Sequence, residues 1–267
     1  GVFDSGYGGL TVFRELDKKF PEYDFIYFGD NARTPYGSRS PETIYEYTKE
    51  AVGWLFGQGC ELIILACNTA SATALRKIQQ EYLPANFPEK RVLGVLIPIA
   101  EAIAQENPTD VGILATKATV ESGAYLKEIK KLKPDIRVIQ QAAPLLVPLI
   151  EEGKVDDPIT KSVLTDYLTD FKKENIKNII LGCTHYPFIK HLIQTEIPDA
   201  KIFDSPSIIP ASLENYLSRH PEIEKRLYRN GTRRYITTGN PEIFSKFARE
   251  NKLFSTTSFR VEKYQEV

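Results

Sequence analysis

The chain has 267 residues, a length that suits two domains of modest size. Hydrophobic residues make up 42% of the sequence, enough for a buried core, which argues against wholesale disorder. Lys and Arg number 34 against 35 Asp and Glu, and the net charge of −1 gives no support for nucleic acid or an anionic membrane surface as the main partner.

Apolar segments that predict strands recur along the chain. Many are continuous in Val, Ile, Leu and Phe, a pattern typical of strands buried on both faces of a parallel sheet. In chain order they are GVFD (1–4), FIYFGD (25–30), ELIILAC (61–67), RVLGVLIP (91–98), VGILAT (111–116), IRVIQQA (136–142), NIILGC (178–183), KIFDSP (201–206) and RRYITTG (233–239).

Helical patterns with clear start signals lie between these strands. Each start combines a polar capping residue with proline at the first helical position. The three clearest are Ser40-Pro41, Asp157-Pro158 and Asn240-Pro241. The alternation of strands and helices predicts α/β layers built on a mostly parallel sheet.

A weak internal repeat runs through the chain. GVFDSGYG at 1–8 resembles GILATKAT at 112–119, and ILACNTAS at 64–71 resembles ILGCTHYP at 180–187. Each half therefore has a first strand that ends in a polar turn and a later strand that ends in cysteine. The repeat predicts two similar α/β domains, each a mostly parallel sheet flanked by helices.

We place the predicted domain boundaries by this repeat. Residues 1–92 would form the first domain together with a returning segment, 208–267, and residues 93–207 would form the second. No low-complexity linker marks the boundary, so we expect the chain to cross between the domains. Ligands of open α/β sheets bind beyond the carboxyl ends of the strands, which predicts an active site in the interdomain cleft.

The cysteine pattern bears on metal binding and on location. Cys60, Cys67 and Cys183 are an odd number of widely separated residues, so they do not form a disulfide framework. No pair has the C-x-x-C spacing of a zinc site, and we expect no metal.

No apolar run reaches the roughly 20 residues of a membrane span, and GVFDSG resembles a strand rather than a signal peptide. We expect a cytoplasmic protein with no membrane partner.

Two of these cysteines are candidates for acid/base catalysis. Cys67 and Cys183 each end a strand and precede polar residues that begin a predicted helix. A helix N-terminus is expected to stabilise a thiolate and lower its pKa, and its N–H groups can hold a carboxylate. Two such turns would place thiols on opposite sides of a bound anion. That arrangement suits inversion at carbon, because one thiolate can remove a proton while the other thiol returns one to the opposite face.

Other polar residues at predicted strand ends face the same cleft. They are Asp4-Ser5, Asn68-Thr69, Thr116 and Thr184-His185. His185 lies two residues beyond Cys183, where an imidazole can take the proton of the thiol. Cys60 comes just before a predicted strand and lacks the polar turn that follows the other two cysteines, so we interpret it as a core residue. DSGYGG (4–9) does not complete the G-x-G-x-x-G dinucleotide pattern, because Thr11 stands where the last glycine is needed.

Four motifs carry a resemblance to a known family. DSGYGGLTV (4–12), PYG (35–37), ACNTAS (66–71) and GCTHYP (182–187) resemble, in this order and spacing, the motifs of bacterial glutamate racemases. The resemblance covers essentially the whole chain. It implies a cofactor-independent enzyme of two α/β domains that interconverts L- and D-glutamate and supplies D-glutamate for peptidoglycan.

The resemblance also implies roles for individual residues. Cys67 would act on D-glutamate and Cys183 on L-glutamate, with Asp4, His185 and Glu151 as helpers in proton transfer. The adjacent Glu152 is the alternative to Glu151. Residues that match the substrate contacts of the family are Asp4, Ser5, Tyr36, Gly37, Asn68, Thr69, Thr184 and His185.

Two further functions compete with this interpretation. One is a racemase of aspartate or another amino acid, or a one-cysteine isomerase or lyase, on the same scaffold. Related aspartate racemases generally carry an acidic residue where this chain has His185, which favours glutamate. The other is an amino-acid-binding module without catalysis. The expected partner is L- or D-glutamate; a homodimer is one oligomeric state that the sequence permits without deciding it.

Overall fold

The computed structural model describes residues 1–254 and 259–265. Its strands are short and largely buried, in line with the continuous apolar segments of the sequence. They are β1 (Val2–Asp4), β2 (Phe25–Gly29), β3 (Leu62–Leu65), β4 (Arg91–Gly94), β5 (Asp110–Ala115), β6 (Arg137–Ala142), β7 (Asn178–Gly182), β8 (Lys201–Phe203), β9 (Arg233–Thr237) and β10 (Val261–Lys263).

The strands of the described residues form two sheets, in which every neighbouring pair is parallel. The first sheet has the order β10-β9-β2-β1-β3-β4, and the second has the order β6-β5-β7-β8. In the first sheet Phe3 lies opposite Phe28 on one side and Leu65 on the other. The predicted fold class, two α/β units built on parallel sheets, is confirmed.

Helices connect the strands and cover the sheets. They are α1 (Leu10–Lys19), α2 (Pro41–Gly57), α3 (Asn68–Thr73), α4 (Leu75–Lys77), α5 (Leu83–Asn86), α6 (Leu96–Glu106), α7 (Lys117–Ser122), α8 (Ala124–Leu132), α9 (Leu146–Glu151), α10 (Pro158–Tyr167), α11 (Thr169–Lys173), α12 (Lys190–Glu196), α13 (Ser205–Arg219), α14 (Pro221–Glu224) and α15 (Pro241–Glu250). A π-helical turn (Ile78–Tyr82) and 3₁₀ turns (Tyr36–Ser38 and Tyr186–Ile189) complete the set.

The three predicted helix starts are confirmed. The side chains of Ser40, Asp157 and Asn240 each accept a hydrogen bond from a backbone N–H in the first helical turn, with proline at the first helical position. Such caps satisfy N–H groups that have no partner within the helix. No helix within the described residues is long and apolar enough to cross a membrane.

Two predicted strand segments continue as helices. The segment RVLGVLIP leaves the sheet after Gly94, because Leu96, Ile99 and Ile103 recur at helical spacing and are buried along α6. The segment KIFDSP leaves the sheet after Phe203, because the Asp204 side chain caps α13.

The two sheets repeat one strand plan. In the first, β1 lies between β2 and β3, and β4 follows β3; in the second, β5 lies between β6 and β7, and β8 follows β7. Cys67 follows β3 and Cys183 follows β7, so the two cysteines occupy equivalent strand ends. The strands β9 and β10 extend the first sheet beside β2. The exact boundaries, 1–92 plus 208–267 and 93–207, stay a prediction.

One hydrophobic core cluster joins the two units. It includes Val2 and Phe13 from the first unit and Ile113 and Ile129 from the second. Along this junction α13 packs on both α1 and α6. The absence of a linker in the sequence therefore corresponds to a continuous core, which holds the carboxyl ends of both sheets toward one cleft.

Candidate active site

A small cavity lies where the carboxyl ends of the two sheets meet. Its free volume is about 50 Å³. Ten of the residues predicted from the sequence line it: Ser5, Tyr36, Gly37, Cys67, Asn68, Thr69, Thr116, Cys183, Thr184 and His185.

Cys67 lies at the junction of β3 and α3. It is 4% exposed, and its Sγ accepts a hydrogen bond from the backbone N–H of Ala70 at 3.4 Å. The Ser5 hydroxyl lies 3.4 Å from the same sulfur. Burial, together with the nearby Asp4 carboxylate, nevertheless raises the pKa of the Cys67 thiol to about 12. The expectation that the helix end lowers this pKa is wrong, because the cost of burying a thiolate outweighs the two hydrogen bonds.

Cys183 has a different environment. It follows β7, but the next residues form a loop and the 3₁₀ turn Tyr186–Ile189, and α12 begins only at Lys190. The prediction that a helix begins immediately after Cys183 is therefore wrong, since the 3₁₀ turn begins only at Tyr186. The partner of its thiol is an imidazole, since Sγ lies 3.9 Å from His185 Nδ1.

His185 links Cys183 to a carboxylate. Its Nε2 lies 2.9 Å from Glu151 Oε1, while Glu152 is exposed to solvent. Burial lowers the pKa of His185, but the hydrogen bonds and charges of Cys183 and Glu151 outweigh it and raise this pKa to about 10. The imidazole is thus positively charged near neutral pH, with one ring nitrogen toward the thiol and the other toward the carboxylate.

Asp4 lies beneath the cavity and bridges the two units. Its carboxylate accepts hydrogen bonds from the backbone N–H of Gly6 at 3.0 Å and from the Thr184 hydroxyl at 3.2 Å. Burial raises its pKa, although the charge of His185 opposes the shift. Asp4 therefore ties the first strand of one unit to the second cysteine turn of the other.

Hydroxyl groups close the cleft on the side of Cys67. Thr69 Oγ1 lies 2.9 Å from Thr116 Oγ1 and 3.2 Å from Thr119 Oγ1, and the last two lie 2.9 Å apart. Thr69 belongs to the first unit and the other two threonines to the second. These hydroxyls can rotate, so they can turn their donors to an anion in the cavity.

Glycines let the loops of the first unit approach the second. A Cβ at Gly8 would lie 2.4 Å from Thr184 Oγ1 and 2.6 Å from His185 Nδ1. A Cβ at Gly37 would lie 2.7 Å from the Cβ of Thr116. A side chain at either position would separate the two units or distort the site.

The comparisons with known proteins now identify the family. A model of the Asp/Glu/hydantoin racemase family matches residues 9–211. The chain belongs to this family. A relative from Persephonella marina, a glutamate racemase, is 41% identical over 249 residues, which cover 92% of this chain and 90% of the relative.

Solved structures of family members have the same fold. Glutamate racemase from Francisella tularensis, solved in complex with D-glutamate, matches with a TM-score of 0.88 and 35% identity over 99% of this chain and 96% of that one. A glutamate racemase isoform from Bacillus anthracis matches with a TM-score of 0.89 and 30% identity over the same shares. The resemblance to glutamate racemases is thereby confirmed.

The structure brings together all the predicted site residues of this family member. Asp4 and Glu151 do not line the cavity, but they contact Thr184 and His185, which do. The roles assigned to these residues by resemblance stay predictions.

Sequence reasoning missed several residues around the cavity. Thr34, Pro35, Ser38, Pro144 and Val147 also line it. Thr34 and Ser38 flank the PYG motif and Pro35 belongs to it, so this motif was the available signal. Pro144 and Val147 follow β6, and the sequence contained no signal for these two residues.

Behind the cavity, two further residues were missed. Asp30 is fully buried and accepts hydrogen bonds from the Tyr36 hydroxyl and from Arg33 Nε, the latter at 2.7 Å. Tyr125 donates a hydrogen bond to Asn68 Oδ1 at 2.6 Å. Asp30 ends a predicted strand like Asp4, and that position was its only signal in the sequence.

Proposed function

We propose that this chain interconverts L- and D-glutamate without a cofactor, by proton transfer between Cα and two thiols. The observation that carries the proposal is the pair Cys67 and Cys183, which end equivalent strands of two similar units and line one cavity. A single cysteine would serve a nucleophilic enzyme, whereas a pair on two facing units serves inversion.

The proton transfer conserves atoms and charge. One thiolate takes the α-proton, the Cα–H bond breaks, and its electron pair stays on Cα and spreads into the α-carboxylate. The other thiol then gives its proton to Cα from the opposite face. Each turnover leaves the proton on the other sulfur, so the two thiols exchange roles.

The two thiols have different environments. The raised pKa of Cys67 keeps it protonated in the free protein, which suits a proton donor. Cys183 Sγ lies 3.9 Å from His185 Nδ1, so the imidazole can take the proton of this thiol or return it. We therefore assign Cys183 as the base toward L-glutamate and Cys67 as the donor, in agreement with the roles that the resemblance implies.

The remaining cavity residues would hold the substrate. Hydroxyls of Ser5, Thr69 and Thr116, the amide of Asn68 and the backbone at Gly37 offer donors to its two carboxylates. Tyr36 and Thr184 also line the cavity, but their hydroxyl protons are already donated to Asp30 and Asp4. Each donor aimed at charge that develops in the transition state contributes about 3 kcal/mol. Asp4 would assist proton transfer at Cys67, and Glu151 would assist proton transfer at Cys183 through its contact with His185.

The biological setting is part of the proposal. The D-glutamate produced would supply peptidoglycan synthesis in the cytoplasm, as the resemblance implies. A small amino acid is the proposed partner, and a homodimer stays a prediction.

Incubation with L-glutamate in D2O tests the proposal. We expect deuterium at Cα by proton NMR and loss of circular dichroism toward zero, with L-aspartate much slower. Faster reaction of L-aspartate would support the aspartate alternative. Tight glutamate binding without exchange at Cα would support the binding module and contradict a racemase.

A further inference from the structure

One buried donor beside the cavity has no partner within the described residues. Asn68 is 1% exposed and lines the cavity, yet its Nδ2 makes no hydrogen bond there. Buried polar groups almost always have a partner, so an unpaired amide at a cavity wall indicates a place for a ligand acceptor.

The other end of the same amide is occupied. Asn68 Oδ1 accepts a 2.6 Å hydrogen bond from the hydroxyl of Tyr125, which is fully buried on α8 of the second unit. Burial, with a smaller effect of Cys183, raises the pKa of Tyr125. The phenol therefore keeps the proton that it donates.

An amide can present either its oxygen or its NH2 group, depending on what holds the other end. With Oδ1 bound to Tyr125, the group left for the cavity is the NH2 donor. If the amide turned over, its carbonyl oxygen would face the substrate and repel a carboxylate.

We propose that Tyr125 is a positioning residue: it binds Oδ1 of Asn68 and thereby directs Nδ2 to a carboxylate oxygen of the substrate. This inference rests on the proposed function, since it takes glutamate as the ligand. Tyr125 itself does not touch the substrate and acts through Asn68.

Tyr125→Phe tests the inference, because it removes only the hydroxyl. The KM for both glutamate enantiomers and the Kd for D-glutamate should rise about tenfold, the scale of a hydrogen bond to a charged group, while kcat changes less. In an Asn68→Ala background the same substitution should have no further effect on Kd. Additive effects, or an unchanged Kd in Tyr125→Phe, would overturn the inference.

A matched control distinguishes positioning of Asn68 from a general loss of contact between the two units. Arg76 on α4 forms a 2.8 Å ion pair with Glu128 on α8, the helix that carries Tyr125. Arg76→Gln breaks this exposed tie without touching Asn68, so KM should stay unchanged. An equal rise of KM in Arg76→Gln and Tyr125→Phe would contradict positioning.

A second variant covers the case in which Tyr125→Phe does not fold. Asn68→Asp keeps an oxygen for Tyr125 and replaces the NH2 donor with a second oxygen. The Kd for D-glutamate should rise at least about tenfold, and retained affinity would overturn the inference. If the wild type shows no exchange at Cα, the proposed function fails instead, so the two failures are distinguishable.

Discussion

Glu151→Gln removes the carboxylate that faces His185 while keeping the size of the side chain. At the observed 2.9 Å and an effective dielectric constant near 20, the charge–charge attraction is about 6 kcal/mol. Desolvation of both groups offsets much of this, and a hydrogen bond between charged groups contributes a net of about 1.5–3 kcal/mol. That net value corresponds to a fall of about 1–2 pKa units for His185.

NMR titration of the imidazole nitrogens measures this fall. The chain has 3 histidines, and the side chains of His191 and His220 are exposed and serve as internal controls. His185 should titrate near pH 10 in the wild type and about 1–2 units lower in Glu151→Gln. A wild-type value near the ordinary histidine pKa, or no change on substitution, would refute the reasoning about this pair.

The same pair predicts a pH dependence of stability. The pKa of His185 in the folded protein, about 10, lies above the ordinary value of 6.5. Its protonated form therefore stabilises the fold fully below about pH 6.5 and loses this contribution as the pH rises through about 10. The Tm difference between the wild type and Glu151→Gln should accordingly be larger at pH 6 than at pH 10. A Tm difference that grows with pH would contradict the assignment.

Three further predictions concern single residues. Gly8→Ala puts a Cβ 2.4 Å from Thr184 Oγ1, so kcat/KM should fall roughly tenfold or more. The control is Gly57→Ala, whose Cβ would meet no atom within 4 Å. This variant should retain the wild-type kcat/KM in the same racemisation assay. In a Cys60→Ser/Cys183→Ser double variant, the ultraviolet absorbance of the Cys67 thiolate should appear only above about pH 10. A thiolate absorbance that reaches its plateau by about pH 8 would contradict the raised pKa of Cys67. Cys60→Ser should leave kcat/KM unchanged, since Cys60 lies outside the cavity, and a large loss would count against this.

Local signals in the sequence predicted most of the fold. Caps such as Ser40 and Asp157 and continuous apolar strands are short-range features, and they appear where they were expected. Residues 91–98 were misread because an uninterrupted apolar segment fits a buried strand and a buried helix equally well. Only packing against α8 and α13 decides that its second half is α6.

The candidate site was predictable where it repeats. Cys67 and Cys183 were identified because each half of the chain carries the same turn, and that symmetry is visible without coordinates. Tyr125 was not, because its partner Asn68 is distant in sequence and the contact arises only when the two units meet. Thr119 was missed for the same reason.

The thiol environments illustrate what sequence reasoning omits. A cysteine before a helix predicts a lowered pKa, but Cys67 is buried beside Asp4, and burial has the opposite sign and the larger effect. For Cys183, the contact with His185 was expected from the position of the histidine two residues later. Its second contact, with Glu151, required the structure.

The central claim, that two thiols serve opposite faces of one carbon, is tested most directly by exchange in single-thiol variants. In D2O, Cys67→Ser should exchange the α-proton of L-glutamate with retention but not that of D-glutamate, and Cys183→Ser should do the reverse. Both variants should lose racemisation. Near-normal racemisation by either variant, or exchange of both enantiomers by one variant, would contradict the account.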